Sequence, residues 1–252
     1  MLRQAADYLG TLLLGRDAYR RRQYKRAKKI ARRYGYEVYL SHLIWLSDSE
    51  FVSARETAKR RGITGIPNDR CYALLESARY VRHVPGHLAE CGSRYGKSSL
   101  FLLTGMGAAS EKSLHIFDSF DGLSKPGAHD LDEAGKSFWA HGDLAVPEEI
   151  LRRNLAGFGD RLVLHKGWIP ERFHEVQDER FSLVHIDVDL YEPTRDAITF
   201  FYSRVSPGGV ILCDDYGSAL CPGAKRAIDE FFSDKPEGVF SLPTGQSLVI
   251  KS

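Results

Sequence analysis

Asp187 and Asp189 stand at i and i+2 in the stretch His185–Tyr191, which follows the apolar run Phe181-Ser182-Leu183-Val184. In extended backbone, residues two apart project to the same side, so both carboxylates face one volume. Asp214-Asp215 close a second run, Val210-Ile211-Leu212-Cys213. Glu90 follows Leu88-Ala89, and Asp118 follows Leu114-His115-Ile116-Phe117. A single acid after a strand is ordinarily a solvated loop residue or a helix cap. The repetition is what argues for one wall of one site. Carboxylates held close push one another's pKa upward, and a bound dication relieves the conflict. Oxygen donors without a neighbouring set of Cys or His favour a hard cation, magnesium above others. Such a centre lowers the pKa of an acceptor hydroxyl while a carboxylate takes its proton.

The segment Glu90-Cys91-Gly92-Ser93-Arg94-Tyr95-Gly96-Lys97-Ser98-Ser99 reads as a turn from strand to helix. Such turns bring backbone N–H groups and a helix N-terminus to an anion. Two familiar phosphate motifs fail on spacing. GxxxxGK(S/T) needs glycine where Cys91 stands, and GxGxxG needs glycine where Arg94 stands. What remains suits a carboxylate or phosphate. Asp118, ending the next strand, is placed like the acid that holds a ribose in open α/β sheets. The inferred ligand is a nucleoside carrying an anionic group.

These residues must be positioned by alternating elements. From His87 onward, strand signals near 87–91, 114–118, 161–165, 181–187 and 208–213 alternate with helical signals near 97–105, 147–156, 170–178, 193–204 and 222–233. That alternation predicts an α/β fold with a mostly parallel, Rossmann-like sheet, whose ligands bind outside the carboxyl ends of the strands. Residues 239–242 and 247–250 flank a Pro-Thr-Gly turn and read as a C-terminal antiparallel hairpin. Residues 120–146 form a long loop, expected to act as a lid, with Phe138-Trp139 as its apolar anchor. His129 and His141 lie in that loop, and His185 inside a strand reads as a core histidine.

Ahead of the sheet, residues 2–14 and 16–34 read as helices, with Ala27, Ile30, Ala31 and Tyr34 as an apolar stripe. Ser47-Asp48-Ser49-Glu50 reads as a capping box with Ser47 at the N-cap, opening a helix to Arg61 before Gly62. A further helix, capped by Asn68 or Asp69, is expected through Val84, with Leu74, Leu75, Ala78 and Val81 facing inward. Residues 1–65 are thus a basic helical extension or lid, and 66–252 the ligand-binding domain.

With 252 residues and 43% apolar content, the chain can bury a full core. The cysteines Cys71, Cys91, Cys213 and Cys221 show no CxxC spacing, which points to a reduced, cytoplasmic protein. The longest apolar runs fall short of a membrane span, and no leader-cleavage pattern follows them. The formal charge of +2 hides an asymmetry: residues 1–33 carry +9, leaving −7 on the rest. A basic arm of this kind predicts contact with an anionic membrane, which would make the protein membrane-peripheral, with nucleic acid, or with the acidic body of another subunit.

Several segments together carry a resemblance. They are Val84-Pro85-Gly86-His87-Leu88-Ala89-Glu90-Cys91-Gly92, Phe117-Asp118-Ser119-Phe120-Asp121-Gly122-Leu123, Lys166-Gly167-Trp168, Asp187-Val188-Asp189-Leu190-Tyr191-Glu192-Pro193-Thr194, and Pro207-Gly208-Gly209 through Asp214-Asp215-Tyr216. They resemble class I methyltransferases that use S-adenosylmethionine, and more narrowly the macrocin O-methyltransferase family, metal-dependent enzymes that methylate sugars of natural products. The resemblance implies that Glu90, Cys91, Gly92 and Ser98 hold the amino-acid end of the cofactor. Asp118 and Ser119 would face its ribose, Trp168 its adenine edge, and Asp187 would also border the cofactor. Asp187, Asp214 and Asp215 would bind Mg2+, or Mn2+ in its place, with Asp187 acting as base. Asp189, Tyr191, Tyr216 and His141 are candidates to meet a small-molecule hydroxyl acceptor, and a homo-oligomer, dimeric or larger, is expected. The chain departs from the family pattern in its bulky, basic turn at Ser93–Lys97, before residue 84, and over residues 124–146. Two other readings compete: a nucleotide-sugar glycosyltransferase using Asp187-Val188-Asp189 as a DxD, and a non-catalytic RNA- or membrane-binding protein.

Overall fold

The structure, a computed structural model, describes residues 16–33, 35 and 44–252. The chain divides into two compact units, residues 1–47 and 48–252. In the first, Arg16–Arg33 forms helix α1, ending in Arg32 and Arg33. None of its described side chains is buried, and Ile30 of the expected stripe is 49% exposed. Tyr34 and the expected helix over 2–14 lie outside the described residues. No helix among the described residues is long and apolar enough to cross a membrane.

The second unit opens with α2 (Ser49–Arg61) and α3 (Asn68–Tyr80). The N-cap of α2 is Asp48, one residue later than the sequence suggests. Its carboxylate accepts from Phe51 N at 2.9 Å, whereas the Ser47 hydroxyl turns back to Ile44 O. Gly62 ends the helix in the left-handed conformation, as expected of a glycine there. Pro67, not Asn68 or Asp69, precedes α3 and offers no capping side chain. This helix gives way to a 3-10 turn at Val81–His83, short of the expected Val84. Its inward face is the expected one: Leu74, Leu75, Ala78 and Val81 are fully buried.

The sheet elements follow in order: β1 (His87–Cys91), α4 (Lys97–Met106), β2 (Leu114–Asp118), α5 (Glu148–Leu155), β3 (Leu162–Lys166), β4 (Phe181–Ile186), α6 (Tyr191–Tyr202), β5 (Val205–Cys213), α7 (Pro222–Phe232), β6 (Phe240–Ser241) and β7 (Ser247–Ile250). In space the strands run β3-β2-β1-β4-β5-β7-β6. The first five are parallel, and β7 is antiparallel to both β5 and β6. This is the α/β sheet with a C-terminal hairpin that the alternation predicts. Sequence order reverses direction between β1 and β4, the switch point where a crevice opens beyond the carboxyl ends. Register then decides what enters it. Glu90 pairs with His185, Cys91 with Ile186, and Ile186 with Cys213, so Gly92, Asp187 and Asp214 emerge together.

Two expectations fail locally. The segment expected to be helical at 170–178 holds only a 3-10 turn, Phe173–Val176. Its two buried side chains, Phe173 and Val176, are three apart, a spacing that 3-10 geometry stacks on one face. In the long loop, Phe138 is 61% exposed; only Trp139 packs on the core formed by β1, β4, β5, α6 and α7.

Candidate active site

One cavity of about 430 Å³ lies at the switch point. Its lining includes Gly92, Ser93, Arg94, Lys97 and Ser98 from the β1–α4 turn, and Asp118 and Ser119 after β2. Gly167 and Trp168 follow β3, Asp187 and Asp189 follow β4, and Asp214 and Asp215 follow β5. Gly92 has φ +81°, and a Cβ there would lie 2.0 Å from the Asp187 carbonyl oxygen. Only glycine lets the β1 turn cross the end of β4 at that distance, which makes Gly92 structural as well as an open face for a ligand.

The turn is fixed from beneath by acids. Asp118 Oδ2 accepts from Ser93 N at 2.9 Å and Arg94 N at 3.1 Å, and its Oδ1 accepts from Phe120 N at 2.8 Å. Glu90 is completely buried; it accepts from the Ser99 hydroxyl and meets His185 Nδ1 at 3.0 Å. Ser99 is in turn 2.6 Å from Ser93 Oγ. Among the described residues, four that are not glycine have positive φ: Arg94, Phe120, Leu144 and Asp189. Arg94, Leu144 and Asp189 line the cavity and Phe120 adjoins Ser119, so the strained backbone is gathered at the site.

The acidic wall behaves differently. Burial, then Asp214 and Asp215, push the Asp187 carboxyl well above the ordinary range. Burial, then Asp189 and Asp214, do the same to Asp215. Asp189 is raised to about 6, chiefly by burial, although Cys221 Sγ approaches its Oδ1 at 3.4 Å. It sits in a tight turn, with φ +59° and Leu190 N bonded to Val188 O at 2.6 Å. Its own N–H donates to Asp215 Oδ2 at 3.0 Å. Asp214 is the exception. Burial disfavours its charge, but His185, Arg70 and Gln246 outweigh that and hold its pKa low. Gln246 Nε2 donates to Oδ1 at 2.7 Å, and Arg70 Nη1 donates to Oδ2.

His185 is a core histidine, wholly buried, yet it is wired into the site. Its Nε2 lies 3.5 Å from Asp214 Oδ1, an ion-pair contact without hydrogen-bond geometry. Burial lowers its pKa, but Asp214 and Glu90 together lift it to about 10, so it is an imidazolium at neutral pH.

Of the residues singled out from sequence, the cavity gathers Gly92, Ser98, Asp118, Ser119, Trp168, Asp187, Asp189, Asp214 and Asp215. It does not gather Glu90, Cys91, Tyr191, Tyr216 or His141. Glu90 and Cys91 lie buried behind the turn. Tyr191 Oη donates to Glu230 and Tyr216 Oη to Asp229, each at 2.7 Å on the outer surface. His141 stacks on Trp168 at 6.0 Å and bonds Leu123 O, so it backs the lining rather than forming it. Sequence reading missed Arg70 and Gln246, and took Trp139 only as the anchor of the long loop, not as part of the cavity lining. The signal for Arg70 was its place one helical turn before Leu74, a cation at the edge of the buried face. Trp139 carries Nε1 to Cys221 Sγ at 3.3 Å, and so supports Asp189 indirectly.

A family model described as macrocin-O-methyltransferase matches residues 17–236. Among curated proteins, the chain is 34% identical over 148 residues to an 8-demethyl-8-(2,3-dimethoxy-alpha-L-rhamnosyl)-tetracenomycin-C 4'-O-methyltransferase of Streptomyces olivaceus, covering 56% of this chain and 57% of that protein. It is 31% identical over 159 residues to a demethyldecarbamoylnovobiocin O-methyltransferase of Streptomyces niveus, covering 59% of each. The chain thus spans a little under three fifths of the length of these relatives. Among solved structures, the O-methyltransferase NovP superposes with TM-score 0.59 at 25% identity, over 73% of this chain and 79% of that one. The calicheamicin methyltransferase CalS11 superposes with TM-score 0.60 at 20% identity, over 81% and 92%, and shows the class I methyltransferase fold. With most of its length matched by one methyltransferase model, the chain belongs to the macrocin-O-methyltransferase family.

Proposed function

We propose that this chain transfers a methyl group from S-adenosylmethionine to a hydroxyl of a small molecule, a sugar of a natural-product glycoside being the acceptor its relatives' names favour. The observation that carries the reading is the two-sided cavity. A glycine turn anchored by Asp118 forms one side, and four carboxylates, Asp187, Asp189, Asp214 and Asp215, form the other. S-adenosylmethionine would supply a methyl group on a sulfonium, and its uncharged thioether would leave. Gly92, Ser98, Asp118, Ser119 and Trp168 would hold that cofactor, with Glu90 and Cys91 fixing the turn from behind.

Asp187 is assigned the proton. Among the described residues none donates a hydrogen bond to its carboxylate, which faces the cavity between the two sides. As the acceptor oxygen bonds to carbon, its proton passes to Asp187. The donor set also fits a hard dication. Asp187 is open and Asp215 has Oδ1 open, and Asp214 keeps lone pairs beyond those taken by Gln246 and Arg70. Asp187 and Asp214 stand together beside His185, and Asp215 stands with Asp189 and Cys221, so an ion held by all three carboxylates would draw the two groups together. Mg2+ or Mn2+ held by Asp187, Asp214 and Asp215 would relieve the repulsion that raises Asp187 and Asp215, and would make the acceptor hydroxyl more acidic. Alignment by these walls supplies the rest of the acceleration.

Residues 1–65 are proposed as an extension or lid ahead of the cofactor-binding segment 66–252, since Thr64 and Gly65 reach the cavity. The +9 arm would bind an anionic membrane surface or nucleic acid, or a second acidic body in a homo-oligomer. Removing residues 1–33 and comparing vesicle binding, RNA binding and oligomeric state with the full chain tests this, and no change in any of them would refute it.

The test of the main reading incubates the full chain with isotopically labelled S-adenosylmethionine and a set of hydroxylated glycosides. Label should move to an acceptor oxygen with equal release of S-adenosylhomocysteine. Absence of cofactor binding by calorimetry would overturn it, and transfer from a nucleotide sugar would favour the glycosyltransferase instead.

A further inference from the structure

Arg70 reaches the acidic wall from outside the sheet. It lies in the first turn of α3, yet its guanidinium lines the cavity and pairs with Asp214, whose side chain is 1% exposed. Its remaining carboxylate neighbours are Asp215 and Asp187. The β6–β7 turn is shaped around it. Arg70 Nε donates to Thr244 O at 3.0 Å. Gly245, which turns through φ +85°, passes close to the guanidinium: a Cβ there would come within 3.1 Å of Arg70 Nη2. The next residue, Gln246, takes the other oxygen of Asp214 and is itself held by Thr244 Oγ1 at 2.8 Å. A guanidinium held through both Nε and Nη1 in this way is a built feature rather than a stray surface pair.

We infer that Arg70 is a resident counter-cation of the carboxylate wall, sharing Asp214 with the divalent ion and setting that ion's affinity low. The inference rests on the proposed metal site at Asp187, Asp214 and Asp215. The reason is electrostatic: a fixed positive charge beside the ligands repels a dication and occupies one of their lone pairs. A single and a double charge about 6 Å apart repel by roughly the equivalent of tenfold in binding even at the dielectric of water, and by more inside a cavity. The ion would bind exchangeably, and the acid wall would stay folded without it because Asp214 already has a partner. A buried carboxylate stripped of all partners is otherwise strongly destabilising.

The test is Mn2+ binding to the full chain, followed by the loss of the free ion's paramagnetic signal and by calorimetry, without acceptor. Arg70→Met and Arg70→Gln remove the charge, Arg70→Lys keeps it, and Asp187→Asn marks binding at the site. Both neutral variants should bind Mn2+ about tenfold more tightly or better, while Arg70→Lys stays near the parent and Asp187→Asn loses the site. Equal or weaker binding by folded neutral variants, with Asp187→Asn still deficient, would overturn the role of Arg70 and leave the metal site standing. Tighter binding by Arg70→Lys as well would overturn it too, since charge would then not be the cause. Binding that is the same in all variants, including Asp187→Asn, would remove the metal site and this inference together.

Discussion

On the β1–β2 side of the cavity the acids are saturated by the protein itself, whereas on the β4–β5 side all but Asp214 are set against one another. Asp118 accepts three backbone N–H groups, and Glu90 is enclosed by Ser99 and His185. Asp187, half-buried at the cavity, and the buried Asp189 and Asp215 have too few donors, and their carboxyls are displaced upward. In sequence these are the same signal, an acid after an apolar strand. The difference teaches that donor count decides the fate of such a residue: satisfied, it fixes backbone, and unsatisfied, it is left reactive.

The comparison breaks most visibly at Asp187. Asp187→Asn keeps the shape and one oxygen but loses the proton acceptor, so single-turnover methyl transfer should slow by about 10²–10⁴-fold. Cofactor affinity, measured by calorimetry, should hardly change. Glu90→Ala should show the opposite profile. It removes the hydrogen-bonded partner of the buried His185 imidazolium and leaves it only the 3.5 Å contact with Asp214, a loss of up to about 3–5 kcal/mol in urea unfolding. Asp118→Ala falls between these. Each charge-assisted bond it removes is worth roughly 1.5–3 kcal/mol, less what water restores at the rim. Cofactor binding should therefore weaken by at least about tenfold while the fold survives, and unchanged affinity in a folded variant would detach Asp118 from the cofactor.

A smaller effect separates both sides from a third titratable group. His115 and His165 meet at 3.0 Å within the sheet, and Glu175 backs His165 at 2.6 Å. Burial, and then His165 and His87, lower His115 to about 4. Its folded pKa is below its unfolded one, so the unfolded chain takes up the proton first. The stability it contributes is present above about pH 6.5 and is lost as pH falls toward 4. His115→Phe should flatten the acid limb of the stability curve in that window without changing the pH profile of methyl transfer. A changed transfer profile would show that the sheet interior and the site are electrostatically joined.

Much of this was legible in the sequence because strands announce themselves by short apolar runs, and their ends were followed by acids. The mostly parallel sheet was implied by alternation, and Gly92 by its place after Glu90-Cys91. What stayed hidden depends on contacts distant along the chain. Nothing near Asp214 in sequence reveals that Arg70 and Gln246 would satisfy it, because the pairing needs α3 and the β6–β7 turn brought to one place. Tyr191 and Tyr216 were drawn toward the site by adjacency to acids. Their helix and turn instead aim the phenols at Glu230 and Asp229. Phe138 was grouped with Trp139 by composition alone, and a loop without periodicity gives no means to tell which of two neighbours faces inward.

The separation of a cofactor-holding side from a reacting side is tested most directly on metal-stripped protein, by S-adenosylmethionine calorimetry paired with single-turnover transfer. The chelated protein should bind the cofactor with nearly its original affinity and transfer no methyl group, and Mg2+ should restore transfer. Full transfer by the chelated protein would contradict the account of the acidic wall, leaving Asp187 as an unaided base; loss of cofactor binding on chelation would contradict the separation itself.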